Sequence, residues 1–149
     1  ILSEPANVQI VGKGNAQARK ADGSPASGHP DFEPHPIQGW TPDFIPFVLQ
    51  EAIDKGLYDQ LIPVPGPEGI AWSRRLAREE GIFVGISAGA TFAVAMKVAE
   101  TAPKGSVLLV MLPDTGERYL STPLFEGVGE DMNEDELALM RSTPGYQLG

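Results

Sequence analysis

Ser87 is the residue best placed to do chemistry, because Gly85-Ile86-Ser87-Ala88-Gly89 joins a short apolar run to an almost wholly apolar helix. The pattern G-x-S-x-G marks a strained strand-to-helix turn that exposes a nucleophilic serine. Such a serine needs an imidazole base, and in that architecture the chain order is serine, then acid, then histidine. Both histidines, His29 and His35, precede Ser87, so the nucleophile reading lacks its base. A second reading makes Ser87 a helix N-cap, worth about 1 kcal/mol. A third makes it a ligand-binding hydroxyl at a strand-end turn, where ligands bind in open α/β sheets.

The elements that must position Ser87 follow from hydrophobic pattern. Ile82, Phe83 and Val84 read as a buried strand ended by Gly85. A helix then runs from Ala88 to Thr101, with Phe92, Ala95, Met96 and Ala99 on one face, until Pro103 stops it. Val107 to Leu112 reads as a second strand leading into Pro113-Asp114-Thr115-Gly116, and parallel strands would set both turns on one edge. Upstream, the pattern predicts a helix from Pro46 to Lys55 closed by Gly56, a strand near Leu61 to Val64, and a helix from Pro67 to Glu80 closed by Gly81. Asn133 and Glu136 have capping-box spacing for a last helix ending near Arg141. This is the βα order of a doubly wound open sheet, with one domain over residues 1–149. Residues 8–36 lack periodicity and read as a long loop, either a functional flap or an insertion with little order.

Composition narrows the partners. A formal charge of −9 argues against nucleic acid, whose binders carry basic patches. No apolar run approaches the roughly 20 residues of a membrane span. The chain has no cysteine, so disulfides are excluded; with only two loop histidines and scattered acids, a metal site is not expected. Trp72 reads as a packing residue, and Trp40 as one that approaches ligand.

Three segments together carry a resemblance: Pro34–Gly39 (PHPIQG), Arg78–Ala90 (REEGIFVGISAGA) and Leu112–Phe125 (LPDTGERYLSTPLF). With the Leu-Ser-Glu-Pro-Ala opening and the Arg-Ser-Thr-Pro-Gly-Tyr ending, the sequence resembles the C-terminal half of cysteine synthase (O-acetylserine sulfhydrylase), a fold-type II enzyme family using pyridoxal 5′-phosphate (PLP). The resemblance implies that Ser87 hydrogen-bonds the pyridine nitrogen of PLP. It also implies that Pro113 and Asp114 lie near the ring, and that the Gly39 backbone approaches cofactor and substrate. A plain strand-to-turn exit at Pro113-Asp114 and a simple turn at Gly39 stay open beside those roles. A neutral hydroxyl can donate to an unprotonated ring nitrogen, which makes a weaker electron sink than a carboxylate would. That suits β-replacement of O-acetyl-L-serine by sulfide to give L-cysteine and acetate. The alternatives are a cystathionine β-synthase-like β-replacement enzyme and a non-catalytic half-enzyme acting as a binding module.

Two departures qualify the resemblance. Where many members read H-K-I-Q-G-I-G-A-G-F, this chain has Trp40, Thr41 and Pro42 in place of flexible glycines, and the second serine of G-I-S-S-G is Ala88. None of the five lysines stands in the P-x-x-S-x-K-D-R-like setting that carries the cofactor covalently, and no T-S-G-N-T loop or glycine-rich phosphate cradle is present. The expectation is therefore a C-terminal fragment, inactive alone. Its partners would be an amino-acid substrate, the missing N-terminal half, a second copy in a homodimeric parent and the C-terminal tail of serine acetyltransferase. A cytoplasmic location is expected, with organellar targeting upstream of residue 1 left open.

Overall fold

A computed structural model describes residues 1–142. Its elements are β1 (Leu2–Pro5), α1 (Phe47–Asp54), β2 (Leu61–Val64), α2 (Gly66–Arg75), α3 (Ile86–Thr101) and α4 (Glu134–Ser142). Short 3-10 turns cover Gly116–Tyr119 and Pro123–Phe125. β1 and β2 pair in parallel, with Leu2 opposite Leu61 and Pro5 opposite Val64. The architecture is thus α/β with a small parallel sheet. Among the described residues no helix is long and apolar enough to cross a membrane. The Arg-Ser-Thr-Pro-Gly-Tyr ending runs outside the described residues after Ser142.

Two expected strands do not form. Residues 82–84 make only an isolated antiparallel bridge, Val84 to Thr115. Residues 107–112 join no ladder, and Val107 and Leu109 are 96% and 100% exposed. Apolar β-branched composition favours extension, but a strand exists only against a partner that takes its backbone hydrogen bonds. The segment instead runs beside α3, where Leu108, Leu109 and Val110 line a cavity of about 180 Å³ with Thr91, Val94 and Val98.

The helix predictions fare better. α2 begins at Gly66, with Pro67 in its first turn, and continues as a π turn over Leu76–Glu80; Gly81, at φ 69°, closes it by donating to the Leu76 carbonyl. α4 has the reciprocal capping box: the Glu136 N–H donates to Asn133 Oδ1 at 2.9 Å, and the Asn133 N–H donates to Glu136 Oε2 at 2.8 Å. α3 differs in face. It buries Ile86, Ala90, Ala93 and Val94, while Met96 is 38% exposed and Phe92 leans on Trp72 with ring centroids 5.4 Å apart. The cause is its neighbour. The small residues of α3 meet α2, so a stripe chosen by side-chain size points the wrong way.

At that contact a Cβ on Gly89 would fall 2.6 Å from Ser73 N, and one on Gly69 would fall 3.1 Å from both Ala90 Cβ and the Ile86 carbonyl oxygen. The two backbones approach closely because neither glycine has a side chain. Above the contact, Ile37, Val64, Ile86, Ala90, Tyr119 and Leu124 form the main core cluster. Arg74 extends it by donating to the carbonyls of Leu124 and Pro123 at 2.8 Å and of Glu126 at 3.1 Å.

Residues 8–36 contain no helix or ladder strand, only the isolated Arg19–Pro25 bridge. They are nonetheless tied down. Val8 and Ile10 pack with Ile45 as a second cluster, buried Gln17 accepts from the Ile45 N–H at 3.1 Å, and Arg19 donates to the Ile45 carbonyl at 2.7 Å. His29 is buried; its Nδ1 accepts from the Asp31 N–H at 3.2 Å and its Nε2 faces the Asn15 carbonyl at 3.0 Å. It is a structural histidine. Buried Glu4 staples β1 to this segment by accepting from the N–H groups of Val11 at 3.0 Å and Gly12 at 2.9 Å.

Two outcomes follow from this packing. Burial pushes the Glu4 carboxyl above its ordinary 4.5, outweighing the two backbone hydrogen bonds and the nearby His29. Between the ordinary and the raised value, the folded chain therefore holds a proton that the unfolded chain has released, so stability falls as pH rises through that window. Thermal melts should show the protein gaining stability as pH falls from the raised Glu4 value towards the ordinary one, and Glu4→Gln should lose this pH-dependent gain; an unchanged slope would locate the titrating group elsewhere. Separately, the exposed apolar run 107–112 should make the 149-residue chain bind a hydrophobic dye and form concentration-dependent oligomers despite its charge of −9. Sedimentation across a wide concentration range checks this, and a dye-negative monomer contradicts it.

Candidate functional site

The chain turns from the 82–84 segment into α3 through Gly85, which is extended at φ −78° and ψ 177°. The helix starts at Ile86, two residues before the expected Ala88, so Ser87 lies inside its first turn. No side chain caps this end. The N-cap reading of Ser87 is thereby corrected, and the residue is buried, 3% exposed. The Ser87 carbonyl is held by Thr91 Oγ1, which donates to it at 3.0 Å. Neither histidine supplies a base: His29 is engaged as above, and His35 Nε2 faces the Thr41 carbonyl at 3.1 Å.

The turn is pinned from both sides. Ser73 Oγ, buried on α2, lies 2.7 Å from the Gly85 carbonyl and 3.0 Å from that of Gly69. On the opposite side, the Val84–Thr115 bridge and a hydrogen bond from the Gly116 N–H to the Phe83 carbonyl at 3.2 Å bring up residues 113–119. A Cβ on Gly85 would fall 2.6 and 2.7 Å from the two Asp114 carboxylate oxygens and overlap the Tyr119 ring. Only glycine permits that approach.

Asp114 is therefore brought to the Ser87 turn, although through antiparallel contact rather than parallel strands. Its Oδ2 accepts a hydrogen bond from the Tyr119 hydroxyl, and its Oδ1 is buried with no partner. Pro113 precedes Asp114 but is itself exposed. Gly39 is not part of this cluster. At φ 87° it turns the loop after buried Ile37 and, with Trp40, Thr41 and Phe44, lines a cavity of about 360 Å³ that reaches Thr91, one turn along α3 from Ser87. In that loop Thr41 has φ 38°, a strained backbone for a β-branched residue, and His35 Nδ1 is buried without a partner.

Sequence reasoning passed over Tyr119. Its ring is 7% exposed and packs with Ile86 and Leu124. Burial first, then the hydrogen bond and charge of Asp114, push its phenol from 10.0 up to about 12; the Ser87 hydroxyl and Arg118 act the other way. The available signal was spacing: Asp114 and Tyr119 stand five apart across Gly116, within the segment most specific to the resemblance.

These groups fit a heteroaromatic ring bearing one polar nitrogen. Ser87 offers a buried neutral hydroxyl, the helix N-terminus adds partial positive charge, and the orphaned Asp114 oxygen marks polar capacity that the protein itself leaves unfilled. Residues that would hold a PLP phosphate are absent from this set.

Residues 1–114 match the family described as pyridoxal-phosphate dependent enzyme. O-ureido-L-serine synthase of Streptomyces lavendulae is 45% identical over 145 residues, 97% of this chain and 39% of that protein. Cysteine synthase of Staphylococcus aureus is 39% identical over 125 residues, 84% of this chain and 37% of that protein. A crystal structure of O-ureido-L-serine synthase superposes with a TM-score of 0.70 at 46% identity, over 91% of this chain and 37% of that one. The cysteine synthase of Entamoeba histolytica gives 0.65 at 27%, over 95% and 36%. The chain thus spans about two-fifths of the curated relatives it matches.

Alkaline titration followed by ultraviolet absorbance checks the buried phenol. One of the three tyrosines should ionise near 12, and Asp114→Asn should move it down towards 10 without reaching it, because burial remains. A tyrosine titration unaffected by that substitution would contradict the pairing.

Proposed function

The chain belongs to the family of pyridoxal-phosphate-dependent enzymes, and from that premise we propose that it forms the Ser87 side of a β-replacement site acting on an O-substituted L-serine. The preferred reaction joins sulfide to O-acetyl-L-serine: the Cβ–O bond breaks, a Cβ–S bond forms, and acetate and L-cysteine leave. The observation that carries this reading is buried Ser87 in the first turn of α3, next to the Gly85 turn that Asp114 and Tyr119 close on.

Bound PLP would supply the electron sink through which an amino acid loses its α-proton and β-substituent. The chain's own residues would do three things. Ser87 would orient the ring by its nitrogen with a neutral contact, so the electronic setting is gentler than a carboxylate would make it. Val84, Ile86 and Tyr119, all buried, would keep water from the back of that contact. The Gly39 loop, with Trp40 half-buried against the core, would frame the substrate side. A further segment would have to bring the lysine and the phosphate cradle, since this sequence contains neither motif; alone, the chain should bind PLP weakly and make no product.

A second acceptor is favoured by the 45% identity to O-ureido-L-serine synthase. There an N-hydroxyurea oxygen would replace sulfide as the nucleophile.

The test uses full-length protein carrying this sequence, loaded with PLP and given O-acetyl-L-serine with sulfide or hydroxyurea in parallel. L-cysteine as the main product supports the first reading, O-ureido-L-serine the second, and acetate release with neither acceptor contradicts both. Ser87→Ala should keep the fold and weaken PLP binding about 5- to 10-fold, the range for losing one hydrogen bond. Undiminished PLP affinity would leave Ser87 without a role in the site.

A further inference from the structure

Among the described residues, Thr41 is the only one other than glycine with a positive φ, at 38°. It is β-branched and precedes Pro42, and both features favour extended backbone instead. Such a conformation persists only where its surroundings over-determine it. The chain is fixed on either side of it. Ile37 is fully buried, Trp40 packs against the main core cluster, and the Asp43 carbonyl accepts from the His29 N–H at 2.6 Å. The hydrogen bond on Thr41 itself comes from His35, whose Nε2 lies 3.1 Å from the Thr41 carbonyl. A carbonyl only accepts, so Nε2 carries the hydrogen and donates it. The other ring nitrogen is buried without a partner, and the ring meets Phe32 edge-on with centroids 6.5 Å apart. A buried orphan of this kind calls for a reason, and the bond to Thr41 is the one polar contact that the ring makes among the described residues. Thr41 and Pro42 also wall the cavity of about 360 Å³ that reaches Thr91. Thr91 Oγ1 donates to the Ser87 carbonyl, so the cavity abuts the Ser87 turn. Glu4 is the one ionisable side chain lining it, and the N–H groups of Val11 and Gly12 take both of its oxygens.

Resting on the reading of this loop as the substrate side of a β-replacement site, we propose that His35 is a positioning residue that clamps Thr41 in its strained backbone, and that the cavity wall so fixed selects the acceptor. Without the His35 hydrogen bond, Thr41 relaxes to an extended backbone and the peptide planes on either side of it turn. The Trp40 ring is held by the core, so the movement falls on Thr41 and Pro42, which line the cavity. A fixed wall sorts small nucleophiles by size and shape, and a relaxed one sorts them less. His35 acts through Thr41 and touches no reacting atom.

Carbon-13 NMR of full-length protein labelled in threonine reads the clamp without turnover, because the Thr41 Cα and Cβ shifts report its backbone conformation. The wild type should show the left-handed signature. His35→Phe, which keeps the contact with Phe32 but removes the donor, should show an extended one, and His35→Gln, whose side-chain amide can donate in place of Nε2, should restore the first. The ratio of kcat/KM for the preferred acceptor over the other, with sulfide and hydroxyurea compared, should fall about fivefold or more in His35→Phe and recover in His35→Gln, as expected for one hydrogen bond. Thr41→Gly tests the strain independently should the phenylalanine variant fail to fold: glycine tolerates positive φ, so the melting temperature should rise, and a fall would overturn the strained clamp. An extended Thr41 in the wild type, or a left-handed one in His35→Phe, would overturn it too. Moved shifts with an unchanged acceptor ratio would overturn the selection. Wild-type protein with the left-handed signature that turns over neither acceptor would overturn the β-replacement reading, and the selection with it, while the clamp stands on the shifts.

Discussion

The close approach of α2 to α3 is the constraint on which the rest of the arrangement depends. Gly69 and Gly89 let the two backbones come closer than side chains at those positions would allow. The same contact lets one hydroxyl, Ser73 Oγ, reach carbonyls on both sides of the turn. Packing of this density transmits small displacements, so a methyl group at Gly89 would lift the start of α3 and carry Ser87 with it. The site is positioned by the absence of side chains as much as by their presence.

Charge is handled in a related way. The turn brings a carboxylate and a phenol together in a place with little water, where an unpaired ion is costly. The phenol answers by keeping its proton, and the carboxylate by accepting it as a hydrogen bond. Arg74, which donates to three carbonyls of the 123–126 turn, steadies the segment that follows Tyr119.

Much of this was legible in the chain because it was written locally. Gly81 after a helical run and Asn133 with Glu136 each specify an end through residues within one turn of it, and the structure has both. The GERYLST and GISAG segments pointed to a family because they are spelled in few positions. What was not legible depended on partners distant in sequence. Residues 107–112 have strand composition but no strand beside them. The buried face of α3 was misread because the helix turns its small residues to α2 and leaves Met96 at the surface. Tyr119 escaped notice because an aromatic residue in a turn is ordinarily packing, and only the fold puts Asp114 on its hydroxyl. Residues 8–36 looked loose for a similar reason: Gln17, Arg19 and His29 find their partners through backbone groups that no periodicity announces.

The pairing of β1 with β2 has a kinetic consequence. Leu2 meets Leu61, so the only ladder among the described residues closes a loop of about sixty residues before its first hydrogen bond forms. α2 and α3, joined by a short turn, meet through contacts close in sequence and have far less chain entropy to overcome. The helix pair is thus the natural early structure, and the Ser87 turn, held by Ser73 from within that pair, can assemble before the sheet exists. The first five residues dock late. Until they do, β2 offers an unpaired edge, and the interval between helix pairing and strand pairing is when the chain is most open to wrong partners.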